Sequence, residues 1–253
     1  MQNRIIKSEL RKTICRRDAI ILLVLGLWPI LVTVCCRLGT GIFDFSGDPI
    51  GAFEFTSLLL SFQDMIFLPV LVGVYIASMS FYQEIHNKQI YLYKDIKRAS
   101  ILNAKYISIY AIYFIFVAVY ILLSFLFYFL MFKYEEIATG TLLADPENVI
   151  PLLYEAAQVI LGMLFYIHIG ITFSIRTSTG FSIFATTFVY MLALVTPYLK
   201  NFRYLFPIGY KEVIQFPHNS YGISLALSVL VWTVYNITLY LINRKHFNHM
   251  EFN

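Results

Sequence analysis

The sequence predicts an all-α polytopic membrane protein with six transmembrane helices, cytosolic N- and C-termini and an N-terminal amphipathic interfacial helix. Three observations predict it. The 253 residues are 59% hydrophobic and 13% charged, with a mean hydropathy of +0.70. A soluble domain carries about 25% charged residues, so this chain cannot build a water-facing surface all round, and lipid must cover much of it. Six apolar stretches approach the about 20 residues that a helix needs to cross a ~30 Å hydrocarbon core. The charges between those stretches then divide by side. Arg4, Lys7, Arg11, Lys12, Arg16, Arg17, Lys88, Lys94, Lys97, Arg98, Lys105, Arg176, Arg244 and Lys245 fall on one side, fourteen of the 19 Lys and Arg. The 15 acids run the other way, five on that side and ten opposite. Positive residues mark the cytosolic side, which puts both ends of the chain in the cytosol; the expected location is a plasma membrane, that of a bacterial cell.

Residues 1–18 hold six basic residues around Ile6, Leu10 and Ile14, which are four apart and share one helix face. A short helix lying on the inner leaflet fits this pattern; a disordered basic tail that only signals topology is the alternative. The 18-residue polar lead is long for a cleaved signal, and no A-x-A-like site follows the apolar run. Span 1 covers 19–36, with Pro29 as an expected kink. Span 2 covers 58–81, and Gly73 and Ala77, four apart, allow close helix packing there. Span 3 covers 107–131 and is long enough to tilt. Span 4 covers 159–175, and RTSTG (176–180) joins it in a tight hairpin to span 5, 181–199. Span 6 covers 223–242. The segment before it, 200–220, is aromatic and only partly polar, in keeping with an outer loop in an interfacial aromatic belt. One six-helix membrane domain, 19–253, accounts for the rest of the chain.

Several chemistries are excluded. The chain has no GxxxxGK[ST] loop, no HExxH and no GxSxG. Glu135 and Glu136 resemble the start of an intramembrane protease motif, but Gly140 stands where that motif needs Arg. Cys15, Cys35 and Cys36 make no CxxC pair and no disulfide framework, and Val34 before Cys35 argues against a lipid-attachment site. His246 and His249 read as a solvated tail, not a metal site. The basic residues hug the spans and do not form a nucleic-acid patch. The chain is therefore not expected to be an enzyme or to hold a metal or cofactor of its own.

Polar residues inside spans are candidates for function, because burying them costs free energy. Gln63 and Asp64 lie in the outer part of span 2, His168 in the middle of span 4 and Asn236 in span 6. His168 suits a path through the membrane or a charge that changes with pH; a hydrogen bond to a neighbouring helix is the plainer reading. The most informative segment is 82–106. Glu84 follows span 2, and Ile90, Tyr93, Ile96 and Lys97 fall at helical spacing, as do Lys94 and Arg98. A cytosolic helix with one apolar and one basic face fits a groove on a partner protein. The residues alone leave open a basic loop at the lipid headgroups.

This arrangement resembles the permease subunits of ABC transporters of the type-2 export superfamily, and is similar to the permeases of bacteriocin-immunity and peptide-antibiotic export systems. The resemblance rests on the six spans, the leading amphipathic helix, and the run Phe81-Tyr-Gln-Glu84, Lys94-Asp-Ile-Lys-Arg98 and Lys105. The family's Gly-Thr after the Glu is replaced here by Asn87-Lys88-Gln89, and Lys97-Arg98-Ala99-Ser100 replaces its Pro-containing Ser-Arg stretch. The resemblance implies that 90–105 is a coupling helix seated in a separate ATPase subunit, with Glu84, Tyr91, Tyr93, Lys94, Asp95, Lys97, Arg98 and Lys105 carrying the contact. It implies a second permease copy, identical or similar. ATP and Mg would sit on the ATPase, and 200–220 would be a re-entrant hairpin. The substrate would be an amphipathic peptide such as a lantibiotic, and Gln63, Asp64, His168 and Asn236 would be the substrate-path candidates. A small-solute carrier, or a membrane sensor or scaffold without an ATPase, is the alternative. A carrier should show matched broken helices in its two halves, and Pro29, Pro69 and Pro197 are not placed symmetrically.

Overall fold

A computed structural model describes residues 2–40, 42–43, 45, 49–88, 96–145, 149–199, 202–207, 209–210 and 221–249, the side chains of Gln2 and Asn3 aside. Among them the chain is helical, and pairing outside helices is confined to one bridge between Ile50 and Ala138. Six helical segments are long and apolar enough to cross a membrane: Arg17–Arg37, Leu68–His86, Arg98–Tyr134, Val149–Ser174, Thr179–Tyr198 and Tyr221–His249.

Helix α1 (Gln2–Ile14) leads into the first span, which is two helices, α2 (Arg17–Leu25) and α3 (Trp28–Arg37). The break falls at Gly26 and Leu27, where Pro29 in the first turn of α3 has no N–H to continue the helix. Gln63 reaches across to this break, its Nε2 donating to the Leu25 carbonyl at 3.3 Å. A carbonyl freed by the kink thus finds a donor.

The expected span 58–81 is not one helix. The chain forms α4 (Ala52–Ile66) and α5 (Leu68–Ser80), and they meet at Phe67, whose φ is 60°. Pro69 in the first turn of α5 forces the break. The Phe67 ring, 4% exposed, stacks on Tyr190 at 3.8 Å between centroids and meets Tyr166 edge-on, so aromatic packing holds a left-handed residue in place. A short helix, α6 (Tyr82–His86), follows.

Helix α7 (Arg98–Leu130) runs 33 residues without a Gly or Pro to stop it. At 1.5 Å per residue it is about 50 Å long, well beyond the ~30 Å core. It begins nine residues before the expected span. The second half of the expected coupling helix over 90–105 is therefore the continuous start of α7. Along α7, Tyr113, Tyr120 and Tyr128 are fully enclosed and donate to the carbonyls of Ile160 (2.7 Å), Leu59 (2.7 Å) and Ile50 (2.8 Å). Each brings an aromatic mass into the core while its hydroxyl is satisfied.

Helices α8 (Val149–Ser174) and α9 (Thr179–Val195) form the tight hairpin that the RTSTG link requires. Helix α8 is the most enclosed span. A Cβ on Gly73 would lie 2.9 Å from the Ile167 side chain, and one on Gly170 would meet Val74. Two glycines thus let α5 and α8 touch backbone to side chain. Helix α10 (Tyr221–His249) is the least enclosed and continues past the expected end at 242.

The two ends of the bundle differ. At one, α1 packs on the start of α7, Arg98 Nη1 donates to the Asn248 carbonyl (2.7 Å), and Arg176 Nη2 to Asn243 Oδ1 (3.4 Å). The described basic segments therefore converge there. At the other, residues 50–54 are stitched to 137–144 by backbone bonds, and Glu54 Oε1 accepts the Ala144 N–H at 3.1 Å. Glu135, Glu136 and Glu155 belong to this acidic end.

Candidate functional site

The site at the basic end starts from a conflict in the sequence. Helix α1 is expected to present Ile6, Leu10 and Ile14 to lipid; Ile14 is exposed, Ile6 and Leu10 are half-buried, and the residues that α1 buries against protein are Glu9 (1% exposed) and Thr13. The side that packs on α7 is polar because its partner is a charge. Lys105, two turns into α7, is 0% exposed.

Lys105 Nζ meets Glu84 Oε2 at 2.7 Å and Glu9 Oε2 at 3.5 Å. It also donates to the Ser80 carbonyl at 2.8 Å and lies 5.7 Å from the Phe81 ring centroid. Glu84 is 1% exposed, and its second oxygen meets Lys12 Nζ at 2.8 Å and Arg16 Nη2 at 3.5 Å. Arg16 also donates to the Met79 carbonyl at 3.3 Å. Two carboxylates and three cations, drawn from α1, the α1–α2 turn, α6 and α7, thus form one cluster. A lone charge at such depth would cost several kcal/mol. Here each fully buried charge faces an opposite one, so the cluster holds only while the helices stay in register.

Of the residues singled out in the sequence for partner contact, Glu84 and Lys105 are brought together in this cluster. Lys97 is exposed at the N-terminal boundary of α7, and Arg98 holds the end of α10. Tyr91, Tyr93, Lys94 and Asp95 lie outside the described residues. Glu9, Lys12, Arg16 and Ser80 were not foreseen. The available signal was spacing: Glu9 and Lys12 are three apart, on one side of α1, and Arg16 follows four residues on, in the turn.

Of the four candidates for a path, His168 on α8 and Asn236 on α10 lie side by side, and Gln63 and Asp64 stand apart from them at the end of α4. Gln63 caps the α2–α3 break. Asp64 lines a small cavity toward the acidic end, and its backbone carbonyl accepts Tyr190 Oη at 2.9 Å. His168 is bonded to the neighbouring helix, Nδ1 with Tyr110 Oη at 2.6 Å and Nε2 with Tyr106 Oη at 3.4 Å. Asn243 Nδ2 continues that chain to Tyr106 Oη and to Thr172 Oγ1, both at 2.8 Å. Asn236 Nδ2 donates to the Trp232 carbonyl of its own helix at 2.7 Å. His168, Tyr106, Tyr110, Thr172 and Asn243 thus form one hydrogen-bonded group between α7, α8 and α10, apart from Gln63 and Asp64.

Among the described residues no group of three His, Cys, Asp or Glu could hold a metal, and Cys15, Cys35 and Cys36 form no disulfide. No protein-family model, curated protein or solved structure matches the chain.

Proposed function

We propose that this chain is the membrane-spanning permease subunit of an ATP-driven ABC exporter, in the plasma membrane of a bacterial cell. A separate ATPase subunit would dock on the basic end, and a second permease copy, identical or similar, would complete the path. The observation that carries the reading is the buried cluster of Glu9, Lys12, Arg16, Glu84 and Lys105. It welds α1, α6 and the start of α7 into one body, at the two ends of the connection between α6 and α7.

Such a weld suits force transmission. A push on residues 88–97 reaches α7 through its first turns, and α7 runs unbroken across the bundle. Helix α1 lies on the inner leaflet in this reading and braces the same joint. Alternating access would follow: nucleotide closes the ATPases, the joint shifts, and the spans rearrange around an amphipathic substrate, a lantibiotic or other antimicrobial peptide. This chain supplies no chemistry; ATP and Mg belong to the partner.

The test is co-purification. The tagged full-length chain, drawn from its native membrane in mild detergent, should bring an ATPase subunit whose hydrolysis rises with substrate. Lys94→Glu, Lys97→Glu and Arg98→Glu together should release that subunit while the permease stays monodisperse. An intact, active complex after the triple change, or no ATPase in the wild-type eluate, overturns the reading in favour of a carrier or sensor.

A further inference from the structure

We infer that the acidic-end half of the bundle, between α8, α9, α10 and the turn at 203–207, holds a binding site for a single-chain amphiphile with a hydroxyl head. The site has two compartments that share Phe165 as a wall. One is a cavity of about 40 Å³ bordered by Asp64, Gln158, Gly162, Tyr190 and Pro207. The other is a groove of about 290 Å³ lined by Phe165, Ile169, Leu205, Phe206, Tyr235 and Leu239.

The first compartment holds an unmet polar group. Gln158 is 7% exposed, and its Oε1 accepts from Ser228 Oγ at 3.0 Å. Its enclosed NH2 carries two donors and has one neighbour to take them, the Tyr154 hydroxyl, itself engaged with Ser224 Oγ at 2.9 Å, so at least one N–H is unmet. A buried donor left so is expensive, and it asks for an acceptor. A hydroxyl accepts and donates, so it satisfies the amide in either orientation of its O and N, and the Asp64 carboxylate borders the same space. At ~10–15 Å³ for each water-sized group, the cavity admits a small neutral head and excludes a phosphate or a choline.

The second compartment has no such need. Tyr235 Oη already donates to the Leu205 carbonyl at 3.0 Å, and Thr238 Oγ1 to the Val234 carbonyl at 2.8 Å. What remains is apolar wall suited to an acyl or alkyl chain. The order of the compartments is that of a lipid in a leaflet. Along α8 the head residue Gln158 lies nearer the acidic end, and Phe165 and Ile169 follow it about 10–16 Å deeper. The inference rests on this geometry and not on transport, and it needs no ATPase.

The experiment uses the purified full-length chain in phosphatidylcholine nanodiscs and a 1-dodecanol probe bearing a mid-chain diazirine. Photo-adducts should map to peptides containing Phe165, Ile169 or Tyr235, with excess 1-dodecanol competing and dodecane not competing. A Cβ at Gly162 would meet nothing within 4 Å, so Gly162→Leu fills the cavity without displacing a neighbour, and labelling should fall on the order of tenfold, the cost of losing the head's buried hydrogen bond. Gln158→Leu should abolish the preference for alcohol over alkane. Equal competition by dodecane, or labelling unchanged in both variants, overturns the inference and leaves annular lipid around a buried water. If Gly162→Leu does not fold, the Gln158→Leu competition decides alone.

Discussion

Lys105 is the residue on which the basic end turns. It is fully buried and answers two buried carboxylates, so removing it takes the cluster's fully buried cation from both and leaves Glu84 to the partly exposed Lys12 and Arg16. Lys105→Met should lower stability by about 3–5 kcal/mol, the cost of an uncompensated buried charge, read as a drop in thermal midpoint in detergent. Lys12 touches the same Glu84, but its side chain is 37% exposed and water screens the pair. Lys12→Ala should therefore cost no more than about 1 kcal/mol. A Lys105→Met, Glu84→Met double variant should lose less than the sum of the singles, because the two changes remove one interaction. Equal losses for Lys105→Met and Lys12→Ala would mean that the cluster is hydrated and its burial irrelevant.

The elements are shaped by where the backbone is forced off course. Phe67 sits at φ 60° between α4 and α5, a region that costs a non-glycine residue about 1–2 kcal/mol. Its ring offsets that cost through Tyr190 and Tyr166. Phe67→Ala loses the ring and keeps the strain; Phe67→Gly loses both. The glycine variant should thus be the more stable of the two by about 1 kcal/mol, and the reverse order in thermal unfolding would show a continuous helix in the membrane. The contact of α5 with α8 makes a second demand. Gly73→Ala pushes a methyl against Ile167, which is 0% exposed and has nowhere to go. The expected loss is about 1–3 kcal/mol, partly recovered when Ile167→Val removes the clashing methyl. A neutral Gly73→Ala would mean that the two helices are farther apart.

At the scale of the whole molecule, six crossings send the described basic segments to one end and the acidic stitching of 50–54 with 137–144 to the other. The positive-inside bias predicts that the first end faces the cytosol. With Cys15, Cys35 and Cys36 replaced by Ser, a cysteine at Thr141 should react with an impermeant maleimide on intact cells. Cysteines at Lys97 or Lys245 should react only after the cells are opened. Labelling of Lys97→Cys from outside would invert the topology and remove the inner joint as a docking point for an ATPase.

Composition and charge placement were enough to read six spans and a basic end, because lipid imposes both on the chain locally: apolar length to cross, positive residues to anchor. The same reasoning located Glu84 and Lys105, which flank spans, and the Pro29 kink, which is a property of one residue. It did not find the α4–α5 break, although Pro69 was visible, because what holds Phe67 left-handed is stacking on Tyr190, more than a hundred positions away. It gave Ile6, Leu10 and Ile14 of α1 to the inner leaflet and did not read the side of α1 that meets protein. Glu9 is buried because Lys105 waits opposite, and although the spacing of Glu9 and Lys12 marks one side of α1, nothing local names the distant segment that side pairs with. The halves of the amphiphile site are likewise invisible along the chain. Gln158, Gly162 and Asp64 become neighbours only when α4 breaks beside α8, so the covalent order chose the solvent and the direction of each helix, and the packing chose which polar groups met.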